Sequence, residues 1–374
     1  MTENKINPAW PRERPAPVHG GAGSAAAAVA PGTLTSNIAL SVPVRRIATF
    51  HLNGLGDLIF TLPALQALRD SFPGASICTV VRPALAPLLH DSPLSDEVLL
   101  RPKGGLSAQA TLMAKLHSHH FDLTVAFSQS RNTTLLVWST GAGVRAGYEG
   151  AKMEALLTHR IPRNEGPYTV ESHLDLVRSI GCNPRQHDYS KLLQANPRSA
   201  LAVDTLLAAN GIEGPFLMVA CEASDRRGIK EWPVDHWTAA LGELAERWPV
   251  VLVGTRRTEE VTVKLGKGVV DLGGQTDLLT LAALAGKARL FIGIDSGVLH
   301  LAAAMGTPVV GIYGPTSWEL TGPLGVPHRI VRHPVDCSPC LLSQCKWSGA
   351  EERKCLIRLQ PEQVVQAVKE MIGI

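Results

Sequence analysis

FIGIDSGVLHLAAAMGTPVVGIYGPTS, residues 291–317, decides the fold of this chain. It opens on an apolar run of the kind that forms a buried parallel strand. Asp295-Ser296-Gly297 breaks that run, and residues 298–305 read as a helix with Ser296 as its N-cap. Gly306-Thr307-Pro308 ends the helix, and 309–313 is a second buried strand. A strand that runs through a small-residue turn into a helix presents free N–H groups and the positive end of the helix dipole, which suits phosphate. Gly297 admits a ligand close to the backbone, and His300 follows one turn along, near the same mouth. The plainer alternative is a ligand-free strand–helix–strand unit, with Ser296 an ordinary cap and His300 a surface histidine.

Working outward, the first half of the chain repeats this design. Residues 46–52 read as a strand, Asn53-Gly54-Leu55-Gly56-Asp57 as a tight turn, and 58–72 as a helix with Leu58, Leu62, Leu65 and Leu68 at helical spacing and Pro63 in its early turns. A further strand follows at 76–81. Asp57 therefore sits at the C-terminal end of a strand, facing the crevice where open α/β sheets bind ligands. Its alternative role is electrostatic support of the helix start. A strand at 122–127 leads to Ser128-Gln129-Ser130-Arg131-Asn132. Arg131, Arg145 and Arg163 either line a site for an anionic ligand or are solvated surface. His117, His119 and His120, without carboxylates beside them in sequence, read as a structural, exposed helix end.

The second half carries strands at 216–220, 250–254, 269–272, 289–294 and 309–313, after a polar, proline-bearing boundary near 183–197. The length of 374 residues calls for about two domains. These are expected at 44–190 and 198–374, each α/β. Residues 1–43, rich in Pro, Ala and Gly, cannot bury enough apolar surface to fold and are expected to be a disordered tail. They make a poor secretory signal, because Glu3 and Glu13 dilute the basic region. The net charge of +3 demands no nucleic acid, and no run reaches the roughly 18 apolar residues of a membrane helix. A pI near 8.5 permits attraction to an anionic membrane face. A cytoplasmic protein, peripheral at most, is expected.

Four of the seven cysteines, Cys337, Cys340, Cys345 and Cys355, fall in one span. The Cys-x-x-Cys pair suits a shared metal ion, and the other two would complete a structural zinc or iron site. Free thiols and disulfides are the alternatives, and a reducing compartment disfavours the last. The loop precedes a final helix expected at 361–371.

The order Asp295-Ser296-Gly297, His300, Ala303-Ala304, Pro308 and Gly314-Pro315-Thr316 resembles the signature of glycosyltransferase family 9, the ADP-heptose heptosyltransferases. Gly54, Gly56, Asp57, Pro63-Ala64-Leu65, Ala67-Leu68-Arg69 and Phe72-Pro73 resemble the opening of the same enzymes, and Lys230-Glu231-Trp232-Pro233 matches their K-x-W-P element. The likeness runs from about Arg46 to the C-terminus. It implies the GT-B architecture, two Rossmann-like domains facing across a cleft. It also implies inverting transfer of heptose from an ADP-sugar to a sugar hydroxyl, in the inner core of lipopolysaccharide, without a catalytic cofactor. Asp57 would be the base and Lys230 would meet the leaving diphosphate. On the donor side stand Ser224, Glu259 or Glu260, Asp295, Ser296, Gly297, His300 and Thr316, with Gly273-Gly274-Gln275-Thr276 as the turn against the base. On the acceptor side stand Asn53, Gly56, Gln129 and Arg131. The partners implied are the ADP-sugar and a glycolipid at the inner membrane face, or a protein acceptor. No D-x-D element sits at a strand end, so no divalent metal is expected at the diphosphate.

The chain departs from the family where Phe127-Ser128 precedes Gln129 in place of the usual aspartate, and where Cys221-Glu222 replaces proline-glycine. The first departure bears on which acceptor is taken. A protein or natural-product acceptor, a silent nucleotide-sugar binding module and a nucleotide-sugar epimerase are the competing readings.

Overall fold

The computed structural model describes residues 43–164, 168–184, 189, 192–223, 228–265 and 268–373. The expected tail, save Pro43, and part of the expected linker lie outside them.

Two six-stranded parallel sheets form the frame. The first contains β1 (Arg46–His51), β2 (Ser76–Val81), β3 (Glu97–Leu100), β4 (Leu123–Ala126), β5 (Val144–Tyr148) and β6 (His159–Ile161), in the order β3-β2-β1-β4-β5-β6. The second contains β7 (Leu217–Ala220), β8 (Val250–Leu252), β9 (Val269–Asp271), β10 (Leu290–Ile294), β11 (Val309–Ile312) and β12 (His328–Val331), in the order β12-β11-β10-β7-β8-β9. Read from β9, the second order is that of the first, so each sheet reverses direction once, between β1 and β4 and between β7 and β10. Ligands of open parallel sheets collect at such reversals.

The central strands are the expected ones because both of their faces are covered. Every residue of β4, β7, β10 and β11 is buried. Five strands in the second half were expected and a sixth, β12, is present. The edge strands β3 and β6, and β5 beside the latter, also escape sequence reading. Val144-Arg145-Ala146-Gly147-Tyr148 mixes charge, glycine and aromatic in five residues and has no clear period.

The first helix, Leu55–Ser71, starts three residues earlier than expected. Gly54 is its N-cap, and the Asp57 carboxylate turns back to accept the Gly54 N–H at 3.0 Å. Pro63 therefore lies in the helix interior, not in its first turns. The Leu278–Lys287 helix is capped as its sequence suggests, with Asp277 accepting the Thr280 N–H at 2.7 Å. The final helix, Pro361–Ile372, ends at Gly373 with φ +79°.

The halves share a core at the floor of the cleft. Ala282, Leu301 and Ala304 from the second half are buried in one cluster with Leu58, Leu62, Leu65 and Leu68 from the first. A backbone bond from Tyr168 N–H to Glu319 carbonyl, 2.7 Å, ties the rim. Among the described residues no helix is long and apolar enough to cross a membrane.

Candidate active site

The turn after β1 and the loop after β4 meet at the first sheet's reversal. They enclose a cavity of about 210 Å³ whose walls include Asn53, Asp57, Gln129, Tyr148, Arg163 and His173. One oxygen of Asp57 is engaged by Gly54, and the side chain is otherwise exposed to the cleft. The carboxylate supports the helix start and also forms part of the cavity wall. Gln129 is held from two sides, its Nε2 donating to the Glu149 carbonyl at 2.6 Å and its Oε1 accepting from Arg163 at 3.4 Å. Arg163 also lies over the Tyr148 ring, 5.9 Å from its centre.

Of the three arginines considered as a lining, only Arg163 reaches the cavity. Arg145 braces the backbone, donating to the carbonyls of Leu156 at 2.8 Å and Ala142 at 2.6 Å. Arg131 is the exposed first residue of the Arg131–Ser139 helix and is not among the cavity walls. The histidine cluster at 117–120 does have a carboxylate partner, since His119 Nε2 lies 2.9 Å from Glu97. Sequence could not show this, because the pair joins β3 to a helix end across the fold. Tyr148 and His173 were missed for the same reason. Each lies on a separate element, and only the sheet reversal brings them to Asp57.

At the second sheet's reversal, Lys230 follows β7 and Asp295 follows β10. The Lys230 ammonium donates to the Asp295 carboxylate at 2.6 Å and to its carbonyl at 3.1 Å. His300 Nε2 at 3.3 Å and the Thr321 hydroxyl at 3.4 Å meet the other carboxylate oxygen. Burial pushes the Asp295 carboxyl upward, but the His300 hydrogen bond and the Lys230 charge together outweigh it and hold the group well below the usual carboxylate range. His300, a surface residue only in the plainer alternative, is buried, 5 % exposed, with its ring centre 4.6 Å from that of Phe60.

Ser296 occupies the N-cap position of the Gly297–Ala304 helix, yet its side chain makes no capping bond. This corrects the ordinary-cap alternative. Its hydroxyl is buried and meets no partner among the described residues, and the same holds for that of Thr316. Among the described residues the N–H groups of Gly297, Val298 and Leu299 receive no side-chain cap. The Ser296 hydroxyl and the bare helix N-terminus it precedes suit anionic oxygens.

The two sites touch through glycine. A Cβ on Gly297 would stand 2.8 Å from Leu55 Cβ and 3.2 Å from the Gly56 nitrogen, and one on Gly56 would stand 3.0 Å from the His300 ring. Only two bare backbones allow these helix starts to approach so closely.

Glu259 and Glu260 open the short Glu259–Thr262 helix and line an open groove with Asp235 and Lys264. The mouth of β8 is instead met by Glu222, whose carboxylate accepts from Thr255 N–H at 3.3 Å and from Arg256 Nε at 3.1 Å. Gly273 and Gly274 pack against the 255–257 backbone, Gly274 with φ +71°. Ser224 lies outside the described residues.

The four clustered cysteines are near neighbours. Burial first, then the charges of Cys337, Cys340 and Cys345, push the Cys355 thiol up to about 11. All four are free thiols, and Cys345 Sγ accepts the Arg353 N–H at 3.3 Å. Among the described residues no three Cys, His, Asp or Glu side chains gather as metal ligands. Arg353 also donates to the carbonyls of Gly228 at 3.5 Å and Glu231 at 3.1 Å, bracing the turn that carries Lys230.

Comparison with known proteins fits this arrangement. Lipooligosaccharide heptosyltransferase 2 of Haemophilus ducreyi is 23% identical over 341 residues, covering 85% of this chain and 97% of that protein. Lipopolysaccharide heptosyltransferase 1 of Pseudomonas aeruginosa is 28% identical over 354 residues, covering 87% and 98%. A solved family 9 glycosyltransferase from Veillonella parvula superposes with a TM-score of 0.76 at 19% identity, covering 89% of this chain and 99% of that one. The family model for glycosyltransferase family 9 (heptosyltransferase) matches residues 110–350, and the chain belongs to that family of glycosyltransferase enzymes.

Proposed function

We propose that this glycosyltransferase moves heptose from ADP-heptose to a hydroxyl of the lipopolysaccharide inner core, with inversion, at the cytoplasmic face of the inner membrane. The observation that carries the reading is the meeting of two unlike sites across the Gly56–Gly297 contact. One offers an exposed carboxylate, Asp57, beside a polar cavity, and the other offers Lys230, the N–H groups of a helix start and the Ser296 hydroxyl, which meets no partner among the described residues.

In this reading the first half holds the acceptor and the second the donor. Asp57 takes the proton of the acceptor hydroxyl as its oxygen attacks the anomeric carbon. The bond to the β-phosphate breaks on the opposite face, and the ADP oxygen gains the charge. Lys230 and the start of the Gly297–Ala304 helix meet that charge with dipoles already in place. Two contacts to Asp295 fix the ammonium, which has a third proton for phosphate. Asp295 and His300 act through Lys230 and through the lobe contact. The reading assigns no step to a metal.

The test is product mass spectrometry. Purified protein is given ADP-heptose with heptose-free lipopolysaccharide, with a protein acceptor, or alone. One added heptose on the lipopolysaccharide is expected, and Asp57→Asn is expected to lower turnover by about 10²- to 10⁴-fold with ADP affinity little changed. Near-normal turnover in the variant, or ADP affinity lost in step with turnover, refutes the role of Asp57. Release of free sugar without acceptor points to another reaction.

A further inference from the structure

We propose that His173, its tautomer set by Tyr148, is a further acceptor-binding residue that accepts a hydrogen bond from a hydroxyl of the acceptor sugar. This rests on the transfer reading above, in which the cavity beside Asp57 receives the acceptor.

Hydrogen counting at Tyr148 leads there. The phenol oxygen lies 2.7 Å from His173 Nδ1 and 3.1 Å from the Ser172 carbonyl. A carbonyl only accepts, and the phenol has one proton to give. Both contacts are hydrogen bonds together only if the phenol donates to Ser172 and the histidine Nδ1–H donates to the phenol. The Nε2 of His173 is then a lone pair. Ser172 and His173 are neighbours on the Thr169–Ser179 helix, so this clamp holds the ring to its own backbone. Phe127 adds an edge contact, with ring centres 5.4 Å apart at 89°.

Nε2 meets no partner among the described residues, although His173 is only 3 % exposed and belongs to the cavity wall. Burial, with the Arg163 charge as a smaller cause, lowers the imidazole to about 3, so the ring stays neutral at working pH. The cavity thus has two chemically opposite walls. Arg163 offers protons to oxygen, whereas His173 offers a lone pair that repels an anion and needs a donor. A sugar hydroxyl supplies such a donor and an isosteric deoxy position does not, which makes the residue a discriminator as well as a contact.

The experiment uses full-length protein, ADP-heptose and deacylated heptose-free lipopolysaccharide. His173→Phe keeps an aromatic ring without the lone pair, and Tyr148→Phe removes the clamp. Each is expected to raise the acceptor KM roughly tenfold while the Kd for ADP stays unchanged, because ADP is held by the other half. Nitrogen-15 spectra of histidine-labelled protein are expected to show the Nδ1–H tautomer at His173. That signal should move when acceptor is added and become a tautomer mixture in Tyr148→Phe; a residue that merely packs would do neither. An Nε2–H tautomer in the unsubstituted protein, or an unchanged acceptor KM in folded His173→Phe, overturns the proposal. Should both variants fail to fold, the tautomer and its response to acceptor in the unsubstituted protein decide alone. Absence of any transfer by the unsubstituted protein sinks the transfer reading instead, whichever tautomer is seen.

Discussion

Lys230→Ala tests whether the Lys230–Asp295 pair supports the fold as well as the donor. The two side chains are 12% and 5% exposed and 2.6 Å apart, so removing the ammonium leaves a buried carboxylate. What remains are contacts to His300 at 3.3 Å and Thr321 at 3.4 Å, both long for charge-assisted hydrogen bonds. Breaking one side of a buried pair costs about 3–5 kcal/mol. The pH dependence follows from Asp295. Its folded carboxyl lies below the ordinary value, so it contributes stability above the unfolded pKa of about 3.9 and loses it as pH falls through the folded value. In the variant burial acts with less opposition and raises that pKa, so the deficit should be largest at pH 7 and shrink as the carboxyl protonates. Urea unfolding at pH 7 and pH 5 measures this. Lys230→Ala/Asp295→Asn, which removes the stranded charge, should recover at least half of the loss. In folded variant protein, ADP binding should weaken by about 1.5–3 kcal/mol, the scale of a hydrogen bond to a charged group. Adenosine, which has no phosphate, should be nearly unaffected. A stability loss below about 1 kcal/mol with no rescue by Asp295→Asn would refute the structural role. Equal losses for adenosine and ADP would refute the phosphate contact.

Two further outcomes are expected. Gly297→Ala places a Cβ 2.8 Å from that of Leu55 and should force the helix starts apart, costing about 1–3 kcal/mol in urea unfolding together with turnover; wild-type stability and rate would show that the contact is loose. Burial lowers His51 and His173 to about 3, with a smaller effect on His51 from His173 and on His173 from Arg163, so the unfolded chain protonates first, at about 6.5. Stability should therefore fall with pH between about 6.5 and 3, by up to about 1.4 kcal/mol per unit for each histidine, and His51→Gln should reduce the slope. A flat urea midpoint from pH 6.5 to 5 would contradict this.

The sequence by itself determined the central strands, the helices that follow them and the residues at their junctions. An apolar run ending at Asn53-Gly54-Leu55-Gly56-Asp57 or Asp295-Ser296-Gly297 has few local alternatives, because the glycines, small polar residues and apolar period all act within a few positions. Asp57, Asp295, Ser296 and Gly297 were legible for that reason, and the resemblance added Lys230 and the roles that local physics left open. Only the tertiary structure decided what depends on parts distant in the chain. It placed Arg163 in the cavity and turned Arg145 and Arg131 to other positions. It gave His119 a carboxylate partner in Glu97 and buried the His300 ring against Phe60 in the seam between the halves. It set the four cysteines as free thiols near one another. It also left the Ser296 hydroxyl without a partner among the described residues where a cap was expected, and joined Tyr148 to His173, 25 residues apart. Each outcome turns on where a side chain points once two sheets have packed, and no local period or spacing encodes that direction.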